Sequence, residues 1–171
     1  MIRDIVIYPD KRLKLISKEV TTFDSELHDL LDDMYETMVS KNGVGLAAIQ
    51  IGVDKRALII NLPSEDDEDA VQSKEDTLEI INPVFIKKEG SCKHQEGCLS
   101  IPKVYEDIER AEHVVIEYQD RHGEKHTMDN NEFLAIALQH EVDHLDGKVF
   151  IEKLSFIKRK KFEKEWKKRF K

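Results

Sequence analysis

Five residues in the last third of this chain, His140-Glu141-Val142-Asp143-His144, restrict its possible folds more than any other feature. The segment from Asn130 or Asn131 to Leu145 reads as a helix, capped by one of the asparagines and stopped by Gly147. On a helix, residues four apart share a face, so both imidazoles can point at one metal ion. Glu141 is then held beside that ion, where a water activated by it needs a base. One face carries Phe133, Ile136, Ala137, His140 and His144, and the opposite face carries Leu134, Leu138 and Leu145. A helix apolar on both sides belongs in the middle of its domain. The remaining elements must therefore wrap around this helix and bring a further ligand to it.

Periodicity supplies those elements. Leu27, Leu30, Leu31, Met34 and Met38 recur at three- and four-residue steps and predict a helix over 25–40. Asp24 or Ser25 caps it, and Asn42-Gly43 ends it. Strands are expected at 5–7, 56–61, 78–86 and 113–119. Arg121-His122-Gly123 turns the last of these into a strand at 125–128. The acidic stretch 65–69 reads as a solvated loop. The order gives an α+β fold in one domain: antiparallel or mixed sheets around a central metal-binding helix, with an N-terminal and a C-terminal helix.

The length of 171 residues, with 40% hydrophobic content, suits one domain with a real core. No run of about 18 apolar residues exists to span a membrane. The N-terminal residues lack the apolar run and small residues of a signal peptide, so a soluble cytoplasmic protein is expected. Such a protein has little use for a disulfide between Cys92 and Cys98. Cys92 reads as an ordinary thiol.

Two histidines make half a site, since a catalytic zinc-like centre has three protein ligands and one open position. Extending the motif to a third histidine, as metzincin proteases do, fails: Gly147 fits, but Phe150 stands where that histidine would be. Glu163 and Glu165 are spaced like the later carboxylate of other zinc proteases, but lie in a strongly basic tail. The better candidate is upstream, in Glu96-Gly97-Cys98-Leu99-Ser100, where glycine permits a sharp turn that aims a thiolate inward. Gly43-Val44-Gly45-Leu46-Ala47-Ala48 matches the loose dinucleotide-binding pattern, but a helix precedes it where a strand is required, so no nucleotide cofactor is expected.

Three segments together, 43–50 (Gly-Val-Gly-Leu-Ala-Ala-Ile-Gln), 96–100 (Glu-Gly-Cys-Leu-Ser) and 139–144 (Gln-His-Glu-Val-Asp-His), resemble the signature of the peptide deformylases, in the family's order. These metal-dependent hydrolases remove the formyl group from the starting methionine of new bacterial and organellar proteins. The resemblance covers nearly the whole chain. It implies that Cys98, His140 and His144 are metal ligands and that Glu141 is the general base and acid. It further implies that Gln50 and the backbone N–H of Leu99 stabilise the oxyanion. Gly43 and Gly45 permit close approach of a peptide, and the resemblance implies that the Gly45 backbone hydrogen-bonds the nascent N-formyl-methionyl chain. Val44, Glu96, Phe133, Ile136 and Ala137 correspond to the walls of the methionine pocket. Arg110 is a candidate partner for Asp143, steadying the helix. The resemblance implies iron(II) as the working ion; the ligand types alone suit iron(II), zinc, nickel or cobalt equally. Tyr105 stands where many members have arginine, His94 where an apolar residue is common, and the acidic insert is longer than in many members. These departures touch peptide preference beyond methionine, not the chemistry.

The charge is uneven. The whole chain carries a formal −8, whereas residues 151–171 hold ten bases against three acids. Phe162, Trp166 and Phe170 recur at four-residue steps in this tail, giving an amphipathic basic helix over about 153–171. One face can pack on the domain while the other attracts phosphate, which makes ribosomal RNA a candidate partner. Two rivals remain at this stage: a zinc protease that needs no cysteine, and a non-catalytic ribosome-associated metal protein.

Overall fold

A computed structural model describes residues 1–64 and 71–169. The acidic stretch 65–69 and the third tail aromatic, Phe170, lie outside the described residues. Helix α1 spans Ser25–Ser40, with the Asp24 side chain accepting from the Leu27 N–H at 3.1 Å. At its far end Asn42 takes a left-handed conformation, and the Gly43 N–H closes onto the Met38 carbonyl. Strands follow in the order β1 (Gly45–Ala47), β2 (Ala57–Ile60), β3 (Leu78–Glu89), β4 (Cys92–Cys98), β5 (Ile101–Arg110), β6 (His113–Gln119) and β7 (Lys125–Asn130). Helices α2 (Phe133–Leu145) and α3 (Phe156–Arg169) complete the chain.

Five strands form one antiparallel sheet, ordered β1-β2-β3-β6-β7, and β4-β5 form a separate hairpin. Successive strand residues point to opposite faces, and β2 shows the consequence. Ala57 and Ile59 pack with Leu27, Leu31, Met34 and Met38 of α1, while Leu58 and Ile60 pack with Leu138, Val142 and Leu145 of α2. The sheet is thus covered by α1 on one face and α2 on the other. Each of the buried leucine, isoleucine and methionine side chains among these contributes roughly 1.5–3 kcal/mol relative to exposure. A third apolar cluster joins Ile101 and Ile108 of the hairpin to Phe150 and Ile151 and to Phe162 and Trp166 of α3.

Several expected boundaries shift. Residues 5–7 do not form a ladder strand. Instead the Val6 N–H donates to the Gln50 carbonyl and the Tyr8 N–H to the Ser100 carbonyl, so the segment straps two different elements together. Strand β3 runs three residues past 86, and β7 ends at Asn130 rather than 128. The position before α2 belongs to Glu132, not to an asparagine, because Asn130 is still in β7. The Asn130 side chain nevertheless accepts from the N–H groups of Glu132 and Ala135. The hairpin β4–β5 was not anticipated at all. Its first strand has no apolar alternation, and its one buried residue is a carboxylate, Glu96.

Gly147 turns the chain out of α2 at φ +73°, and a Cβ there would sit 2.4 Å from the Lys14 carbonyl oxygen. Backbone cannot yield as a flexible side chain would. Gly147→Ala should therefore cost about 3 kcal/mol, read as a lower urea midpoint with an unchanged slope.

Candidate active site

Helix α2 is buried along most of its length, which places His140 and His144 in the interior with their ring centroids 5.1 Å apart. Cys98 comes from the end of β4, where the Cys98–Ile101 pairing closes a tight turn after a break in register at Glu96. The turn carries the thiol to α2: Cys98 Sγ lies 3.4 Å from His144 Nε2. One donor atom from each of Cys98, His140 and His144 lies within 4.8 Å of the other two. Bond lengths of about 2.3 Å to sulfur and 2.0 Å to nitrogen set a ligand-to-ligand distance of roughly 3.5 Å in a tetrahedral centre, so this donor set fits a divalent ion. Glu163 and Glu165, the alternative ligands of the protease reading, are elsewhere: Glu163 pairs with Arg159 at 3.4 Å, and Glu165 is exposed.

Glu141 is 6% exposed and its Oε2 has no hydrogen-bond partner among the described residues. Burial pushes its carboxyl up to about 7, the range in which a group can both take and return a proton near neutrality. Burial also holds His144 well below the ordinary histidine range, which leaves its ring neutral and able to act as a ligand.

Gln50 sits in a turn of 3-10 helix, Ala48–Ile51, packed between the sheet and Val6. Its Oε1 accepts from the Ala47 N–H at 2.9 Å, which fixes the amide's orientation. Its Nε2 then donates to Ser100 Oγ at 3.1 Å and lies 3.4 Å from Cys98 Sγ. Ser100 belongs to the 96–100 segment, and the sequence marks this contact only by a hydroxyl two residues after the thiol. Leu99 occupies the turn between Cys98 and Ser100.

One cavity of about 660 Å³ unites these groups. Gly43, Val44, Gly45, Gln50, Glu96, Cys98, Leu99, Phe133, Ile136, Ala137, His140 and Glu141 all line it. Of the expected site residues only His144, 1% exposed, is not part of the lining. Tyr105 stands at the mouth, 65% exposed, its ring lying against Gly97. His94 meets Phe133 edge-on at 6.2 Å between centroids. Glu96 lines the cavity as expected, but it is not a simple wall. Both of its oxygens accept from Arg110 at 2.8 Å, and Oε1 is also 2.7 Å from His140 Nδ1. Burial would raise the Glu96 carboxyl, but these partners outweigh it and hold it down to about 2. Arg110 reaches Asp143 at 2.5 Å, as the sequence suggested; its double bond to Glu96 was not foreseen.

A Cβ on Gly45 would lie 2.8 Å from Glu141 Oε1 and 3.1 Å from its Cγ and Cδ. Gly45→Ala must displace that carboxylate. We expect kcat at least about tenfold lower with metal content unchanged, checked by steady-state kinetics beside metal analysis.

Comparison with known proteins fits this geometry. Residues 2–160 match the polypeptide deformylase family, and the peptide deformylase of Helicobacter pylori strain P12 is 58% identical over 164 residues, 96% of this chain and 92% of that protein. The chain belongs to the polypeptide deformylase family. These enzymes are metal-dependent hydrolases that remove the N-formyl group from nascent peptides. The crystal structure of a peptide deformylase from Legionella pneumophila superimposes with a TM-score of 0.89 at 40% identity, covering 98% of this chain and 95% of that one. The Acinetobacter baumannii enzyme, crystallised with Met-Ala-Ser bound, gives 0.81 at 33% identity, covering 90% and 99%. The α+β architecture expected from the sequence is the architecture of the family. Among the described residues no helix is long and apolar enough to cross a membrane.

Proposed function

We propose that this chain releases formate from N-formyl-methionyl nascent peptides, with Cys98, His140 and His144 holding one divalent ion, iron(II) in the working enzyme. The supporting observation is the convergence of one sulfur and two ring nitrogens within 4.8 Å, beside Glu141 and open to the 660 Å³ cavity. The choice of iron rests on the family resemblance; zinc, nickel and cobalt suit the same donors. When bound, the ion supplies Lewis acidity that activates a water and polarises the formyl carbonyl.

Glu141 takes the proton from the attacking water and delivers it to the departing amine. The Gln50 amide and the Leu99 backbone N–H donate to the carbonyl oxygen as it gains negative charge. Val44, Phe133, Ile136 and Ala137, with Glu96, enclose the methionine side chain. Gly43 keeps the rim low, since a Cβ there would meet Leu99 at 2.8 Å. Among the described residues strand β1 has a sheet partner on one side only, and Gly45 on its other edge pairs with the peptide backbone. The test is an anaerobic assay of iron-loaded protein on formyl-Met-Ala-Ser, the formylated form of the peptide bound by the Acinetobacter enzyme. Formate release is expected, and its absence would overturn the reading.

We further take residues 1–171 as one catalytic domain working in the cytoplasm, with the tail 153–171 as its contact to the ribosome. Phe162 and Trp166 are buried, and the Trp166 indole donates to the Tyr8 carbonyl. Lys160, Lys161, Lys164, Lys167 and Lys168 stay exposed and available to phosphate. Reversing these five to glutamate should abolish salt-sensitive co-sedimentation with ribosomes and leave kcat/KM on a formyl tripeptide within about twofold.

A further inference from the structure

We infer that Glu96 is a positioning residue for the metal centre, one that makes His140 its anchoring nitrogen ligand. This rests on the reading of Cys98, His140 and His144 as ligands. An apolar side chain could wall the cavity without the desolvation that a buried carboxylate suffers. Glu96 instead sits within a fixed set of partners. Arg110 grips both of its oxygens through Nε and Nη2 at 2.8 Å, and the two side chains are 2% and 6% exposed. The third arm of Arg110 reaches Asp143, one turn along α2 from His140. That fork leaves Glu96 Oε1 aimed at His140 Nδ1, 2.7 Å away.

A carboxylate gripped on both oxygens by Arg110 accepts, so Nδ1 is the donor of this contact and Nε2 is the ring nitrogen left to face a cation. His144 has no such support: its Nδ1 is buried with no partner among the described residues. The two ring ligands are therefore unequal. Glu96 also stands two residues before Cys98 on β4, so the same contact ties the strand that carries the sulfur to the helix that carries the nitrogens.

The test uses Co(II) alone as probe, with a chelator competing for it. The parent should bind one equivalent with a thiolate-to-cobalt charge-transfer band. Glu96→Gln should weaken the dissociation constant about 10- to 100-fold, with the band still reached at saturation. Glu96→Asp keeps the countercharge for Arg110 but withdraws the carboxylate by one methylene, and should weaken binding similarly; it decides the matter if the glutamine variant does not fold. Leu31→Ala, in the core around α1, lowers stability without touching the site and should bind Co(II) as the parent does. Binding by the Glu96 variants within threefold of the parent would overturn the proposal. So would an equal loss in Leu31→Ala, which would reduce the effect to general destabilisation. Absence of the thiolate band in the parent would overturn the ligand reading itself, a result distinguishable from either.

Discussion

Glu141→Gln should lower kcat for formate release by about two to four orders of magnitude, the span that a positioned acid–base group supplies, with metal binding retained. The same substitution should change stability in a pH-dependent way in chelator-treated protein. The Glu141 carboxyl is raised by burial from 4.5 to about 7 on folding, so the folded state holds this proton more tightly than the unfolded state. Stability is therefore undiminished below the unfolded value and falls as pH rises from 4.5 to 7. Above 7 the full penalty applies, about 3 kcal/mol for this shift. Glutamine never ionises and escapes it. Urea titrations at pH 5 and 8.5 should show the variant gaining on the parent by most of that amount between the two. A difference independent of pH would mean that Glu141 does not titrate in the fold as its burial requires.

Cys98→Ser should abolish both metal retention and activity. Of the three proposed ligands the thiol is the one that does not come from α2. Without it the carboxylate beside the ligating nitrogen of His140 is Glu141, whose Oε1 lies 3.9 Å from His140 Nε2 and which the proposed reaction needs as its base. Glu163 and Glu165 cannot substitute, since one is paired with Arg159 and the other faces solvent on α3. A serine hydroxyl keeps its proton near neutrality and is a poor replacement. Losing several kcal/mol of metal-derived stabilisation corresponds to roughly 10³-fold or more in rate. Metal analysis after dialysis should fall from one equivalent toward zero. A zinc protease built on the same helix motif makes the opposite forecast, keeping its ion and its turnover without the cysteine.

Much of this molecule could be read locally. The bounds of α1 and β6 follow from apolar period, and the α1 start from the Asp24 cap, because each signal acts within a turn or a strand. The pairing of His140 with His144 was equally local, since helix geometry alone places them together. Cys98 is a candidate from its glycine-flanked turn, whereas roles for Gln50, the Leu99 N–H and the cavity wall come only with the three-segment resemblance. The hairpin β4–β5 escaped notice because Cys92-Lys93-His94-Gln95-Glu96-Gly97-Cys98 offers no apolar alternation. Strand β4 is held by pairing with β5 and by a buried ion pair, while the hairpin's apolar contacts come from Ile101 and Ile108 of β5.

The chain's pattern alone was enough to specify a buried helix with two ring nitrogens and a carboxylate between them, since helical repeat and apolar content are properties of neighbouring residues. The tertiary fold decided which distant groups meet those nitrogens. Glu96 stands 44 residues from His140, and Cys98 stands 46 from His144. The sequence is rich in carboxylates, and nothing in their local spacing says which one will lose its water and face Arg110. That choice is made only when sheet, hairpin and helix close on one another, because the energy of a buried charge depends on the partners that surround it in space.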